Sequence, residues 1–199
     1  MASAAEGRIR DKAERLFRSL WPEARIVHEF ALGGSRLDLA AITEDRLILG
    51  EIKSENDTLT RLPHQMKSGA WIGGPVFLFC AERWVGKVED MPYRVIEMVE
   101  EGEGFTRFLG ANHRYELTEH HIAARHDAFN SRALLGLLLK PELMALAKPH
   151  GGKSKHDVSN LQRVAHEAMT GREIRRGVMA ALRARHFGWT CDAPVGAMG

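Results

Sequence analysis

Cysteine is scarce in this chain: two among 199 residues. That number excludes a disulfide framework and a cysteine-based zinc cluster. Cys80 sits in an apolar run and Cys191 in the tail, and a reducing cytoplasm is the expected compartment. Long apolar runs are missing too. None approaches the roughly 20 residues that span a bilayer, so no membrane partner is expected. The first eight residues lack the apolar stretch of a signal peptide. No internal repeat or low-complexity tract is visible. Net charge is small, +2, but unevenly placed. Residues 1–110 carry 15 Lys+Arg against 18 Asp+Glu, and residues 111–199 carry 13 against 8. The basic bias of the second part suits either a polyanion partner or solvated helix faces.

What is present is a globular composition, 44% hydrophobic and 27% charged. Two alternating apolar runs, residues 35–42 and 46–53, read as adjacent strands. The short polar connection Thr43-Glu44-Asp45-Arg46 suits a hairpin. If the loop is symmetric, Ile42 faces Leu47, and four steps back Asp38 faces Glu51. Lys53 lies two residues beyond Glu51 and points the same way. Two carboxylates and a lysine then converge among apolar neighbours. Such charges are costly on a strand unless they are paired or bind an ion. The set suits metal-assisted phosphodiester cleavage. Asp38 and Glu51 offer hard oxygens to Mg²⁺ or Mn²⁺, and Lys53 offers a point positive charge to water or phosphate.

The remaining pattern predicts a helix at 7–20, with Ile9, Ala13, Leu16, Phe17 and Leu20 on one stripe. A strand at 25–32 turns at Gly33-Gly34. After the two central strands a helix runs from Asp57, as cap, to about Trp71, with Pro63 in its early turns. Gly73-Gly74-Pro75 breaks the chain before a buried strand at 76–80. Beyond it, 93–101 reads as a short helix and 105–117 stays ambiguous. A strong helix covers 130–147, bent at Pro141. Two more helices cover 157–169 and 171–186, the second opened by the capping box Thr170-Gly171-Arg172-Glu173. The fold class expected is α/β: an α-β-β-β-α-β core with a mixed sheet over residues 1–110, then an α-helical extension over 111–199.

Asp38 with Glu51-Ile52-Lys53 resembles the PD-(D/E)XK nuclease superfamily, whose core motif is an Asp on one strand and Glu-X-Lys on the next. The stretch from Glu51 to Gln65 looks like a bacterial and prophage branch of it, and the likeness covers roughly residues 8–82. It implies a restriction-endonuclease-like fold and a Mg²⁺-dependent nuclease acting on DNA, in repair, prophage biology or defence. Asp38 and Glu51 would hold the metal, and Glu29 or Glu14 would add an acid to it. Gln65 would be auxiliary; the Tyr that often follows it by four residues is Gly69 here. Many relatives cut as homodimers. Arg61 and Lys67 are candidate phosphate contacts. The last two helices allow a helix-turn-helix presenting Arg172, Arg175, Arg176, Arg183 and Arg185 to DNA, or a lid packed on the core. The alternative function is an inactive nuclease-fold module for DNA binding or protein interaction.

Two rival metal motifs are weaker. His120, His121 and His126 lack the spacing of a zinc set. Residues 151–166 resemble the second half of an HNH motif, with Asn160-Leu161-Gln162 before His166. The upstream Asp-His pair is missing, and the segment also reads as a plain helix start.

Overall fold

The computed structural model describes residues 4–85, 87, 95–108, 114–115, 129–188 and 191–195. In chain order these form α1 (Ala4–Leu20), β1 (Arg25–Leu32), β2 (Ser35–Ile42), β3 (Leu47–Lys53), α2 (Leu62–Ile72), β4 (Val76–Cys80), β5 (Val95–Glu101), β6 (Gly104–Phe108) and β7 (Arg114–Tyr115). Four helices follow: α3 (Ser131–Leu135), α4 (Lys140–Ala147), α5 (Val158–Ala168) and α6 (Gly171–Ala184). The chain is a mixed α/β protein. Its described strands form one sheet in the order β1 to β7. β4 runs parallel to both β3 and β5, and the other pairs are antiparallel.

The local causes are plain. Gly33-Gly34 closes β1 on β2 as a two-residue hairpin, with Leu32 opposite Ser35 and Gly33 at φ +64°. β3 and β4 are buried along their whole length, as central strands covered on both faces must be. Parallel β3 and β4 need a crossover, and α2 supplies it. Gly74 is obligatory in its exit turn, because a Cβ there would sit 2.1 Å from the Leu47 carbonyl oxygen.

Each face of the sheet carries its own apolar cluster. On one, Ile9, Ala13 and Phe17 of α1 pack on Leu39, Ile48, Phe77 and Phe79. Phe17 meets Phe77 and Phe79 edge-on at 5.3 and 5.5 Å. On the other, α2 and α3–α6 bury Met66, Leu135, Leu143, Leu161, Val178 and Leu182 against Leu37, Leu47 and Val76. The C-terminal helices therefore share a core with the strands rather than forming a core of their own. Arg25 of β1 fastens them. It is buried, and its Nη1 donates to the carbonyls of Leu182, Arg183 and Arg185 at 3.1, 2.8 and 2.6 Å. It thereby caps the end of α6 with a positive charge.

Several sequence expectations need correction. The helix expected from Asp57 starts at Leu62, and Asp57 points back into the loop after β3. There its Oδ2 accepts from the Ser54 amide and hydroxyl at 2.7 and 2.6 Å. Residues 95–101 are strand, not helix. Ile96 and Met98 alternate onto the α1 face, and pairing with β4 on one side and β6 on the other overrides the weak helical pattern. The single helix expected over 130–147 is two. Asn130 caps α3 by accepting from the Ala133 amide at 3.2 Å. Pro141 opens α4, because its ring is tolerated only in a first turn. The last two helices stand as expected, with Asp157 as cap of α5 and the Thr170/Glu173 capping box on α6.

Candidate active site

β2 and β3 pair from Ile42↔Leu47 to Leu39↔Gly50, and then they part. The next step would set Asp38 against Glu51, the register read from the sequence. At this fork Asp38 closes the gap with its side chain: Oδ2 accepts from the Ile52 amide at 2.7 Å. Glu51 and Lys53 continue the Leu47–Leu49 side of β3 and lie under α2. Lys53 Nζ contacts Glu51 Oε1 at 2.6 Å, and both side chains are buried. Among the described residues Glu51 Oε2, which is buried, has no hydrogen-bond partner.

β1 and β2 deform at the same level. Val27 and Phe30 lie three residues apart yet join the same cluster, as do Ala40 and Leu37. A regular strand would send each pair to opposite faces. The break falls at Glu29 and Asp38, the one register pair absent between His28↔Leu39 and Phe30↔Leu37. Glu29 has φ +54°, the single non-glycine positive φ among the described residues. A strained acid of this kind marks a place where local stability is subordinate to position.

The fork opens into a cleft of about 700 Å³. Glu6, Glu29, Asp38, Glu51 and Lys53 line it, with Arg61, His64 and Gln65 on the α2 side. Arg10 of α1 binds its acids together. Its Nη2 lies 2.7 Å from Glu6, 3.4 Å from Glu29 and 3.3 Å from Asp38 Oδ1, and its Nη1 donates to the Asp38 carbonyl at 3.1 Å. Glu29 also pairs with Arg36 at 2.8 Å. Burial, and secondarily the charge of Asp38, pushes the Glu51 carboxyl up to about 8; Lys53 and Gln65 oppose the shift.

Of the residues singled out from sequence, Asp38, Glu51, Lys53, Gln65, Glu29 and Arg61 meet in this cleft. Gln65 donates to the Arg36 carbonyl at 3.1 Å, and its buried Oε1 has no hydrogen-bond partner among the described residues. Gly69 explains the missing Tyr. A Cβ there would press on Leu37 and Val76 at 3.2 Å, so α2 lies too close to the sheet for a large side chain. Glu14 is a correction. It does not line the cleft, because it pairs with Arg18 at 2.6 Å and His28 at 3.0 Å. The acid that α1 does bring is Glu6, two turns earlier. Its i,i+4 spacing to Arg10 was a visible but unspecific signal.

The basic candidates divide. Lys67 lies in a neighbouring groove. Arg172 and Arg176 are exposed on α6, whereas Arg175 stacks over Phe129 at 5.0 Å. Arg183 and Arg185 do not face outward as a recognition helix needs. Arg185 pairs with Glu142 and donates to the Leu137 carbonyl at 2.7 Å, and Arg183 reaches the Glu23 carbonyl at 3.4 Å. The apolar face of α6 is spent on the core. His120, His121 and His126 lie outside the described residues. In the HNH-like segment, His156 Nδ1 accepts from the Lys153 amide at 3.3 Å, and Asp157 serves as the α5 cap.

Among the described residues no three His, Cys, Asp or Glu side chains are grouped to hold a metal by themselves. The donor set still fits one kind of ion. Mg²⁺ commonly takes one or two carboxylates and leaves the rest to water and phosphate. Asp38 and Glu51, with the orphaned Oε2, offer that.

Fold and site together define a mixed α/β protein with an acid–lysine cleft at a fork in its sheet. A family model described as bacteriophage P4 protein cII matches residues 13–190, and the chain belongs to that family. No curated protein matches it. Among solved structures it is similar to a protein of unknown function from Silicibacter pomeroyi, at 16% identity and a TM-score of 0.41, over 78% of this chain and 100% of that one. No described helix is long and apolar enough to cross a membrane.

Proposed function

We propose that this chain is a metal-dependent nuclease of the PD-(D/E)XK type that hydrolyses DNA phosphodiester bonds. The observation that supports the reading best is the fork. Asp38, Glu51 and Lys53 converge there, with Glu51 Oε2 buried and unpaired beside an open cleft. A buried carboxyl oxygen without a partner is costly, and a ligand in the cleft would satisfy it. A Mg²⁺ or Mn²⁺ ion held by Asp38 and Glu51 would supply Lewis-acid charge to the phosphate and to a bound water.

The side chains have distinct tasks. Asp38 is fixed by the Ile52 amide on Oδ2, and its Oδ1 faces the Arg10 guanidinium at 3.3 Å. Burial raises the Glu51 carboxyl to about 8, and a cation held beside it would favour the ionised form. Lys53, on Glu51 Oε1 at 2.6 Å, would offer its ammonium to the negative charge that develops on the phosphate. Gln65 orients groups at the α2 wall.

The test is incubation of wild type and Asp38→Asn with supercoiled, linear and branched DNA in Mg²⁺, Mn²⁺ or EDTA. Cleavage by wild type alone, stopped by EDTA, is expected. A folded wild type that leaves every DNA intact in both metals refutes the nuclease. One observation favours a second reading, an inactive DNA-binding module. Arg10 and Lys53 already occupy oxygens of Asp38 and Glu51 without any ion. DNA affinity with no cleavage in any metal would establish it.

A further inference from the structure

The α2 wall of the cleft continues into a second groove of about 500 Å³, and His64 and Gly33 line both. Its far end is marked by Trp71, 70% exposed on the last turn of α2. Among the described residues it is the most exposed of the large hydrophobic side chains. Arg61, His64, Lys67 and Trp71 follow one another at three- and four-residue steps, so they share one side of the helix. The stripe is about 15 Å long at helical rise. It is basic up to the tryptophan. On the opposite lip Glu6 and Glu29 are held in ion pairs with Arg10, and Glu29 also with Arg36. A phosphate backbone entering the cleft is drawn along the basic stripe of α2.

We propose that α2 is the track for single-stranded DNA. Phosphates pass Arg61, His64 and Lys67, and one unpaired base stacks on the Trp71 indole within the groove. The proposal rests on the cleft being a phosphodiester site and names its substrate class. The strand must be single because a base in a duplex hides its faces in its own stack, whereas an unpaired base offers a π-face to an aromatic side chain. The span of the stripe corresponds to about four nucleotides at the 3.4 Å strand spacing of a duplex, and fewer when the strand is stretched.

Fluorescence anisotropy in EDTA separates binding from cleavage. The probes are a labelled 12-nucleotide single strand and the matching duplex, and the proteins are wild type, Trp71→Ala and Trp71→Phe. Trp71→Ala is expected to weaken single-strand binding by about tenfold, the scale of one lost stacked base. Trp71→Phe should retain most of the affinity, and duplex binding should not change. Equal affinity of Trp71→Ala and wild type for the single strand overturns the track. So does an equal loss on both probes, or no single-strand binding by wild type. A wild-type dimer that Trp71→Ala converts to monomer makes the groove a self-association face instead. Thermal melts by circular dichroism check that the variants are folded. The two readings fail separately. A wild type that never cleaves yet binds single strands through Trp71 removes the nuclease and keeps the track. A wild type that cleaves while Trp71→Ala binds normally does the reverse.

Discussion

Glu51 should make the metal-free protein less stable as pH rises, and its replacement should show how much. Its carboxyl titrates near 8 in the fold and near 4.5 in the unfolded chain. Between those values the native state keeps a proton that the unfolded state has lost. Stability therefore falls with pH across that window, by about 1.4 kcal/mol per unit from this group alone. The fall stops above 8, where both states are ionised. Glu51→Gln removes the titration. From pH 6 to pH 8 the stability of wild type relative to Glu51→Gln should drop by about 2 kcal/mol, because Glu51 is half ionised at the upper pH. Denaturant unfolding of both proteins in EDTA measures it, with m-values compared to exclude a change in the unfolded state. Millimolar Mg²⁺ should then stabilise wild type more at pH 8 than at pH 6 and leave Glu51→Gln nearly unmoved, since only an ionised Glu51 binds the ion. A relative stability that is flat from pH 6 to pH 8 refutes the account of Glu51 as a buried, proton-holding carboxyl.

Lys53→Met should abolish cleavage and move the Glu51 titration upward from about 8, because Lys53 is a charge that favours the carboxylate. A Glu51 midpoint in carboxyl-resolved NMR that stays or falls would contradict the pairing. Arg25→Met should cost about 3 kcal/mol, as it leaves buried carbonyls of the α6 terminus without their donor. Denaturant unfolding at neutral pH reads the loss, and a cost under about 1 kcal/mol would mean that water replaces the guanidinium. Gly74→Ala should lower stability by about 2 kcal/mol or more, since the new Cβ must push Leu47 and the start of β3 aside. A variant with an unchanged thermal midpoint would show that this turn relaxes freely.

Much of the site was legible in the chain because its causes are local. A symmetric loop between two alternating runs sets Ile42 against Leu47, and that pairing is the one found; carried on, it brings Asp38 level with Glu51, with Lys53 on the same side as Glu51. The two-residue Gly33-Gly34 turn likewise brought Glu29 level with Asp38. The capping box fixed the start of α6, because Thr170 bonds an amide three residues away. The tertiary structure decided the rest. α1 is amphipathic along its whole length, so its stripe could not say which end lies over the fork. The packing of Phe17 on Phe77 and Phe79 puts the N-terminal turns there, which selects Glu6 and Arg10 and sends Glu14 to His28. Residues 95–101 became strand through partners on both sides, and Arg183 and Arg185 turned inward because the end of α6 docks on β1 and α4. Periodicity and turns act over a few residues, and sequence alone determines what they control. Crossing angles, helix docking and the break at Glu29 and Asp38 arise from contacts between segments far apart in the chain, and no local pattern encodes them.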